Sequence, residues 1–332
     1  MTHFTIIDYT GWQPYEGLAA GSGRSEKEWL ISDDGRIGLF KYPKIDPATN
    51  SVTTEHISEH MAAQIGKLVG VKTAQVDLGR RNGRIGSMSY LVKAETENLI
   101  EGINFIVGRY PNYNATTMID ETSGSYYSLE MLEETGKWSV ENEWIEMLIF
   151  DALIGNADRH QSNWAILIEY LGTQEIEDNH ICLNFRSKWC PLYDNGSSLC
   201  CYVNEKNIDS MFGKDPGPFK ALVDTKSKSI IRIDGSKKAK PTHKEMVLYL
   251  IKKYPSAKTI AARFIERFTF EEVDKLLDMY TPDKLLIRST SIVTLGMMVI
   301  GGNIHLSDLL KRFRMFDWCI GAILKISNLE LN

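Results

Sequence analysis

The chain has few cysteines, no long apolar run and no excess of basic charge. Its five cysteines (Cys182, Cys190, Cys200, Cys201 and Cys319) are odd in number and show no C-x-x-C spacing. That argues against a disulfide framework and implies reduced, mostly buried thiols. The most apolar stretch, residues 292–301, is too short to span a bilayer. The N-terminus carries no basic segment followed by a long apolar run, so no secretory signal is expected and the implied location is cytoplasmic. With 38 Lys and Arg against 43 Asp and Glu, the net charge is −5, which argues against nucleic-acid binding through a broadly basic surface. No internal repeat or low-complexity segment stands out. What is present is ordinary for a soluble globular protein: 43% hydrophobic and 24% charged residues. A chain of 332 residues can bury a large core and is expected to form two domains, or two lobes around a cleft.

The most informative segment is Ile-Gly-Asn-Ala-Asp-Arg-His-Gln-Ser-Asn at residues 154–163, followed downstream by Leu-Tyr-Asp-Asn-Gly at residues 192–196. Transfer of a γ-phosphoryl group needs a carboxylate to orient and deprotonate the attacking hydroxyl, and an oxygen-rich pair to hold Mg²⁺ against the phosphates. Asp158, Asn163 and Asp194 are a candidate set. Asp, Asn and Gly are also the residues of ordinary turns, so the surroundings matter. The pattern predicts a largely buried helix over residues 140–153, N-capped by Ser139, before this loop. A strand-like run over residues 164–168 follows it. Helix, polar loop, strand, return strand and Asp is the order expected of a kinase catalytic centre.

Upstream, the chain reads as a small sheet with one helix. Residues 21–27 (Gly-Ser-Gly-Arg-Ser-Glu-Lys) form a short polar loop before a strand at residues 29–31, where glycines would let backbone N–H groups approach phosphates. Residues 36–41 are the next strand, ending in Lys41, a candidate phosphate partner that needs a carboxylate to hold it. A helix over residues 54–69 has an apolar stripe of Ile57, Met61, Ile65 and Leu68. Glu59 lies off the stripe on a face continued by the small residues Ala62, Ala63 and Gly66, and would approach Lys41; Glu55, one turn earlier, is the alternative. Strands are expected at 73–78 and 85–92, joined by a basic turn at 80–84. The composition shift after Val92 marks a hinge where the backbone around Val92 and Ala94 would read an adenine edge. Beyond it, helices are expected at 258–268, 270–280 and 308–326. The fold class is therefore α+β with two lobes, 1–95 and 96–332, the second larger and mainly helical.

With Lys41, Glu59, Asp158, Asn163 and Asp194 in this order, the chain resembles the HipA-like serine/threonine kinases of bacteria. The sharpest matches are residues 23–27, Phe40-Lys41-Tyr42-Pro43, Ser58-Glu59-His60, Leu68-Val69-Gly70-Val71, the 154–163 loop and Tyr193-Asp194. The resemblance implies a kinase fold using ATP and Mg²⁺. Ser22, Gly23, Arg24, Ser25 and Lys27 would cover the phosphates and Lys41 would contact ATP. Asp158 would be the base, Asn163 and Asp194 the metal ligands, and Tyr193 a further wall of the nucleotide site. It also implies that a loop serine, Ser22 or Ser25, is an autophosphorylation site. The chain departs from the long toxin members in having no room for their extra N-terminal subdomain. Residues 169–188 also look extended, which leaves the lengths of the connecting strands open.

Asp158-Arg159-His160-Gln161-Ser162-Asn163 is similar as well to the Asp-Arg-His-x-x-Asn of phosphatidylinositol 3- and 4-kinases, and Asp194-Asn195-Gly196 to the type II 4-kinases. His160 is read as a supporting residue that orients the loop or touches a phosphate. The basic stretch 214–240, with Lys220, Lys226, Lys228, Arg232, Lys237, Lys238 and Lys240, is a candidate for weak contact with an anionic surface, although such runs are more often solvated loops. The pattern from Lys41 to Leu78 favours the HipA-like reading and a protein acceptor of unknown identity over a phosphoinositide or small-molecule kinase. The intact polar set argues against a nucleotide-binding regulatory or toxin-partner protein with little turnover.

Overall fold

The computed structural model describes residues 4–18, 26–46, 50–136, 143–176, 180–199, 201–202, 217–221 and 225–280. Its first unit is a six-stranded sheet. The strands are β1 (Ile7–Asp8), β2 (Gln13–Pro14), β3 (Lys27–Ile31), β4 (Ile37–Lys41), β7 (Val76–Arg81) and β8 (Arg84–Tyr90), in the order β1-β7-β8-β4-β3-β2. Only β1 and β7 run parallel. Between β4 and β7 lie the short pair β5 (Ile45–Asp46) and β6 (Ser51–Val52) and helix α1 (Glu55–Val69).

Register decides which side chains share a face. Lys27 pairs with Lys41 and Trp29 with Leu39, while β8 sets Ser87 opposite Lys41 and Ser89 opposite Leu39. With a period of two, these six residues face the same way. The opposite face carries Leu30, Phe40 and Met88, fully buried with Tyr9. The turn expected over residues 80–84 is a two-residue turn at Asn82 and Gly83, both at positive φ. Asn-Gly is the favoured pair for the type I′ geometry that matches strand twist, so β7 and β8 extend further towards each other than composition suggested.

Helix α1 buries Glu59, Met61, Ala62, Ala63, Ile65 and Gly66. A Cβ at Gly66 would lie 2.5 Å from the Thr73 methyl, so the small-residue face allows close packing on the segment leading into β7. The helix ends at Gly70, whose φ of 78° places it in the left-handed region where glycine pays no Cβ penalty.

After β8 a second sheet is added to the helices expected there. Strand β9 (Glu97–Glu101) pairs with β12 (Ala165–Ile176), and β12 with β13 (His180–Trp189), in a three-stranded antiparallel sheet. β9 has a single apolar pair, Leu99-Ile100, and is held by ladder bonds to β12, so no periodicity announced it. Of the stretch 169–188, residues 169–176 and 180–188 lie in the paired strands β12 and β13, with Tyr170, Leu171, Leu183 and Phe185 exposed. Around this sheet run α2 (Gly102–Arg109), the small pair β10 (Tyr113–Asn114) and β11 (Ile119–Asp120), and α3 (Leu129–Gly136). They are followed by α4 (Glu143–Ile154), α5 (Gly217–Ala221), α6 (His243–Lys253), α7 (Pro255–Arg267) and α8 (Phe270–Asp278). The expected cap Ser139 and the helix at 308–326 lie outside the described residues, as does the apolar stretch at 292–301. Helix α7 starts earlier than expected because Pro255 occupies its first turn, where a missing N–H costs nothing.

Every residue of α4 from Met147 to Ile154 is buried, Asp151 included. It is the centre of a core cluster that contains Met61 and Ile65 of α1, Trp164, Trp189 and Phe264. The Trp164 and Trp189 rings stack at 5.1 Å. Of the cysteines described, Cys190 and Cys201 are buried and Cys182 is exposed, all as free thiols. Among the described residues no helix is long and apolar enough to cross a membrane.

Candidate active site

The polar face of the first sheet, α1, the 155–164 loop and the 192–197 segment enclose one cavity of about 690 Å³. Lys27, Trp29, Leu39, Lys41, Ser87 and Ser89 line it from the sheet, Glu55 and Glu59 from α1, and Val92, Leu99 and Glu101 from the connection and β9. Asp158, His160, Ser162 and Asn163 contribute from the loop, and Tyr193, Asp194, Gly196 and Ser197 from the later segment.

Lys41 Nζ donates to Asp194 Oδ1 at 2.7 Å and lies 3.8 Å from Glu59 Oε2. Glu59 is 2% exposed, and its Oε1 accepts from the Asn195 backbone N–H at 2.8 Å. A Cβ on Gly196 would sit 3.0 Å from Glu59 Oε2, so glycine there lets the 194–196 turn close over this carboxylate. Glu55 is taken up elsewhere: it binds the backbone N–H and Nζ of Lys44, the latter at 2.8 Å, and accepts from the Tyr202 hydroxyl. The helix register thus brings Glu59, rather than Glu55, to Lys41.

Burial raises the Glu59 carboxyl above its usual range, a rise that Lys41 partly offsets. Burial also opposes charge on Lys41 and Asp194. Their mutual attraction outweighs it, holding the ammonium above its ordinary pKa and the Asp194 carboxyl down at about 2. Asp194 adopts a φ of 55°, a left-handed conformation that costs a non-glycine residue of this kind about 1–3 kcal/mol. The turn directs a charged oxygen towards the cavity at the expense of local comfort. Its segment is anchored by reciprocal backbone bonds, Ala74 N–H to the Leu192 carbonyl and Leu192 N–H to the Lys72 carbonyl, both 2.8 Å.

The 155–164 loop is held from within. Asn163 Nδ2 donates to the Asp158 carbonyl at 2.8 Å, and among the described residues no donor pairs with Asn163 Oδ1. Ser162 N–H donates to His160 Nδ1 at 3.2 Å, so the neutral ring carries its proton on Nε2. Burial, with a smaller push from Asp194, raises the Asp158 carboxyl above its usual range against the pull of His160, Lys44 and Lys240.

Behind the cavity, Arg159 joins both polar segments. It is 1% exposed. Its guanidinium donates to both oxygens of buried Asp151, with Nη2 at 2.7 Å, to the Asn163 and Tyr193 carbonyls at 2.8 and 2.9 Å, and to Asn195 Oδ1 at 2.6 Å. Asn156 Nδ2 adds a bond to Asp151 at 3.0 Å. One cation therefore fixes the loop carrying Asp158 and Asn163 relative to the turn carrying Asp194. Asp151 and Arg159 join the expected residues as the buried pair that holds the site; the signal for it in the sequence is a lone carboxylate in the otherwise apolar run from Met147 to Ile154.

Of the other expected residues, Lys27 lines the cavity beside Lys41, and burial together with that neighbouring charge lowers its pKa. Val92 and Tyr193 pack on the small cluster of Ala165, Leu167 and Cys190, with Leu99. Ala94 is exposed beyond the cavity edge and gives its N–H to Glu97 at 2.9 Å. Ser22, Gly23, Arg24 and Ser25 lie outside the described residues.

No protein-family model and no curated protein matches the chain. Among solved structures, it superposes on the Helicobacter pylori proinflammatory kinase CtkA over 89% of this chain and 94% of that one, with a TM-score of 0.67 and 18% identity. The chain has a kinase-like fold. The HipA toxin of Shewanella oneidensis, solved with HipB and operator DNA, matches over 86% of this chain and 66% of that one at 11% identity and a TM-score of 0.49, too remote to add to the comparison. At 18% identity the likeness to CtkA concerns the fold, and the chemistry of this kinase-like chain rests on its own residues.

That geometry gives a graded expectation for the lysine's partners. If the site transfers a phosphoryl group, Glu59→Ala, which removes an ion-pair contact worth about 1.5 kcal/mol, is expected to lower kcat/KM roughly tenfold. Lys41→Ala is expected to cost more, and Glu55→Ala to leave kcat/KM within about twofold, since Glu55 does not touch Lys41. Steady-state kinetics on the three variants checks the order; a silent Glu59→Ala beside a damaging Glu55→Ala would reverse it.

Proposed function

We propose that the protein is an ATP- and Mg²⁺-dependent serine/threonine protein kinase. On this reading two lobes, 1–95 and 96–332, close on the nucleotide. The observation that carries it is the convergence of Lys41, Glu59, Asp158, Asn163 and Asp194, from four separate segments, on one cavity. The donor set fits Mg²⁺, which takes one or two protein oxygens and completes its shell with phosphate and water: Asp194 is ionised at about 2 and upwards, and among the described residues no donor pairs with Asn163 Oδ1. Among the described residues no group of three acidic, His or Cys side chains could hold a metal by itself, in keeping with a cation that arrives with nucleotide. When bound, the cation would neutralise charge on the phosphates and orient them.

The chain's own residues do the rest. Lys41 exchanges its bond to Asp194 for the α- and β-phosphates, steadied by Glu59. Leu39, Val92, Leu99 and Tyr193 give the adenine an apolar slot, with the Val92 backbone at its edge. Asp158 accepts the proton of the serine or threonine hydroxyl as that oxygen bonds to the γ-phosphorus and the bond to the bridging oxygen of ADP breaks. His160, with Nε2–H free, is suited to a phosphate oxygen. The loop serines Ser22 and Ser25 are proposed autophosphorylation sites, because a phosphate carrying roughly −1.5 to −2 charges repels those of ATP.

Incubation with γ-labelled ATP and cell extract tests the reading: label on this protein or on a discrete protein band is expected, and label in the lipid fraction alone would contradict it. The raised Asp158 carboxyl gives a second expectation. The base works only when deprotonated, so kcat/KM is expected to fall with decreasing pH through a value above the ordinary carboxylate range. A pH–rate profile with its acid limb at or below pH ~4 would argue against Asp158 as the base.

A further inference from the structure

The reading above leaves one charged feature unused. Residues 227–243 fold back on themselves beside the loop that carries Asp158. Lys228 bridges Thr242, the Ser229 N–H donates to the Pro241 carbonyl at 3.0 Å, and the His243 N–H to the Ser227 carbonyl at 3.0 Å. Ser227 Oγ lies 3.8 Å from where a Cβ on Gly155 would sit, so the base of this hairpin abuts the start of the catalytic loop. Its arms hold Lys228 and Lys240 in the open, and among the described residues neither forms an ion pair. Arg232 sits behind them, donating to the Ile230 carbonyl at 2.7 Å and to the Lys238 carbonyl, with its guanidinium over the Tyr126 ring. None of these contacts is with a carboxylate.

Three cations are thus held together with no ion pair among the described residues, in a protein whose net charge is −5; the nearby carboxylates that feel them are Asp158, beside Lys240, and Glu245, beside Lys228. The carboxylates of the hairpin are engaged elsewhere: Asp234 binds Ser236 and Lys237, and Glu245 caps α6 through Thr242. Partial desolvation, then the charges of Arg232 and Lys228, lower the pKa of the solvent-facing Lys240, and the Asp158 carboxylate pulls it up. The strip therefore borders the position of the acceptor hydroxyl, and an anion there would relieve its repulsion.

We propose that residues 228–240 form an acceptor subsite selecting serine or threonine residues flanked by acidic side chains, an inference that rests on the kinase reading. The acidic groups of the peptide meet Lys228 and Lys240 while its hydroxyl reaches Asp158. A peptide is favoured over a membrane because no large apolar side chain is exposed between residues 225 and 242, whereas interfacial binding draws on buried apolar area as well as charge.

The test uses the full chain with Mg-ATP and three acceptors: a serine peptide flanked by Asp and Glu, the same peptide flanked by Lys, and phosphatidylcholine vesicles containing phosphatidylinositol. The acidic peptide is expected to exceed the basic one in kcat/KM by about tenfold or more. Lys228→Ala/Lys240→Ala is expected to raise KM for the acidic peptide roughly fivefold, from two exposed charge contacts. ATP affinity should be unchanged and the difference should shrink at high salt. Equal use of the acidic and basic peptides, an unaltered KM in the double variant, or transfer to the vesicles but to neither peptide would each overturn the inference. Transfer to peptides without acidic preference leaves the kinase reading standing; absence of transfer to every acceptor overturns that reading and the inference together.

Discussion

Asp158→Asn is expected to lower the rate of phosphoryl transfer by about 10²- to 10⁴-fold, the usual contribution of a positioned general base, while ATP binds with near-normal affinity. The substitution keeps the shape of the side chain and the backbone bonds of the loop: the Asp158 carbonyl still accepts from Asn163, and the Asp158 N–H still donates to Asn156 Oδ1 at 3.1 Å. What is lost is the ability to take a proton, which matters only as the transition state forms. Asp194→Asn is expected to do the opposite, weakening Mg²⁺-dependent ATP binding directly. Calorimetry with and without Mg²⁺, beside initial rates, separates the two. Near-normal turnover in Asp158→Asn would remove the base from the account.

The second large effect concerns stability. Arg159→Ala is expected to destabilise the protein by about 3–5 kcal/mol, because it leaves the Asp151 carboxylate buried without its cation. It also deprives the Asn163 and Tyr193 carbonyls of a donor. Asp151→Ala should be similarly costly. The double variant should be less destabilised than the sum of the two, since one loss already includes most of the other. Urea unfolding of the three variants gives the comparison, and additive losses would show that the pair is not coupled. Any folded Arg159→Ala protein is also expected to bind Mg-ATP poorly, because the loops bearing Asn163 and Asp194 are no longer tied together.

Residues on short, continuous motifs were legible in the sequence. The 154–163 loop, Lys41 at a strand end and Glu59 on a helix face continued by small residues are local patterns, and the fold brings them to one cavity. Arg159 was not legible, although it lies inside the clearest motif. Its partners Tyr193 and Asn195 are distant in sequence, Asp151 sits inside an apolar helix, and an arginine beside a polar loop reads as a surface charge. Strand β9 was hidden for a related reason: ladder bonds to β12, rather than an apolar stripe, hold Glu97–Glu101 in place. The hairpin of Lys228 and Lys240 looked like part of a uniform basic run. The structure divides that run, burying Arg232 against Tyr126 and leaving the two lysines exposed on the catalytic side.

The central claim is that the cavity holds Mg-ATP with Lys41 on the phosphates. A crystal structure with Mg²⁺ and a non-hydrolysable ATP analogue tests it most directly. The account predicts that Lys41 Nζ leaves Asp194, now 2.7 Å away, for the α- and β-phosphates. It should close on Glu59 from its present 3.8 Å, with Asn163 Oδ1 and Asp194 bound to the cation. An analogue bound elsewhere, or one in the cavity with Lys41 still on Asp194 and no cation between Asn163 and Asp194, would contradict it.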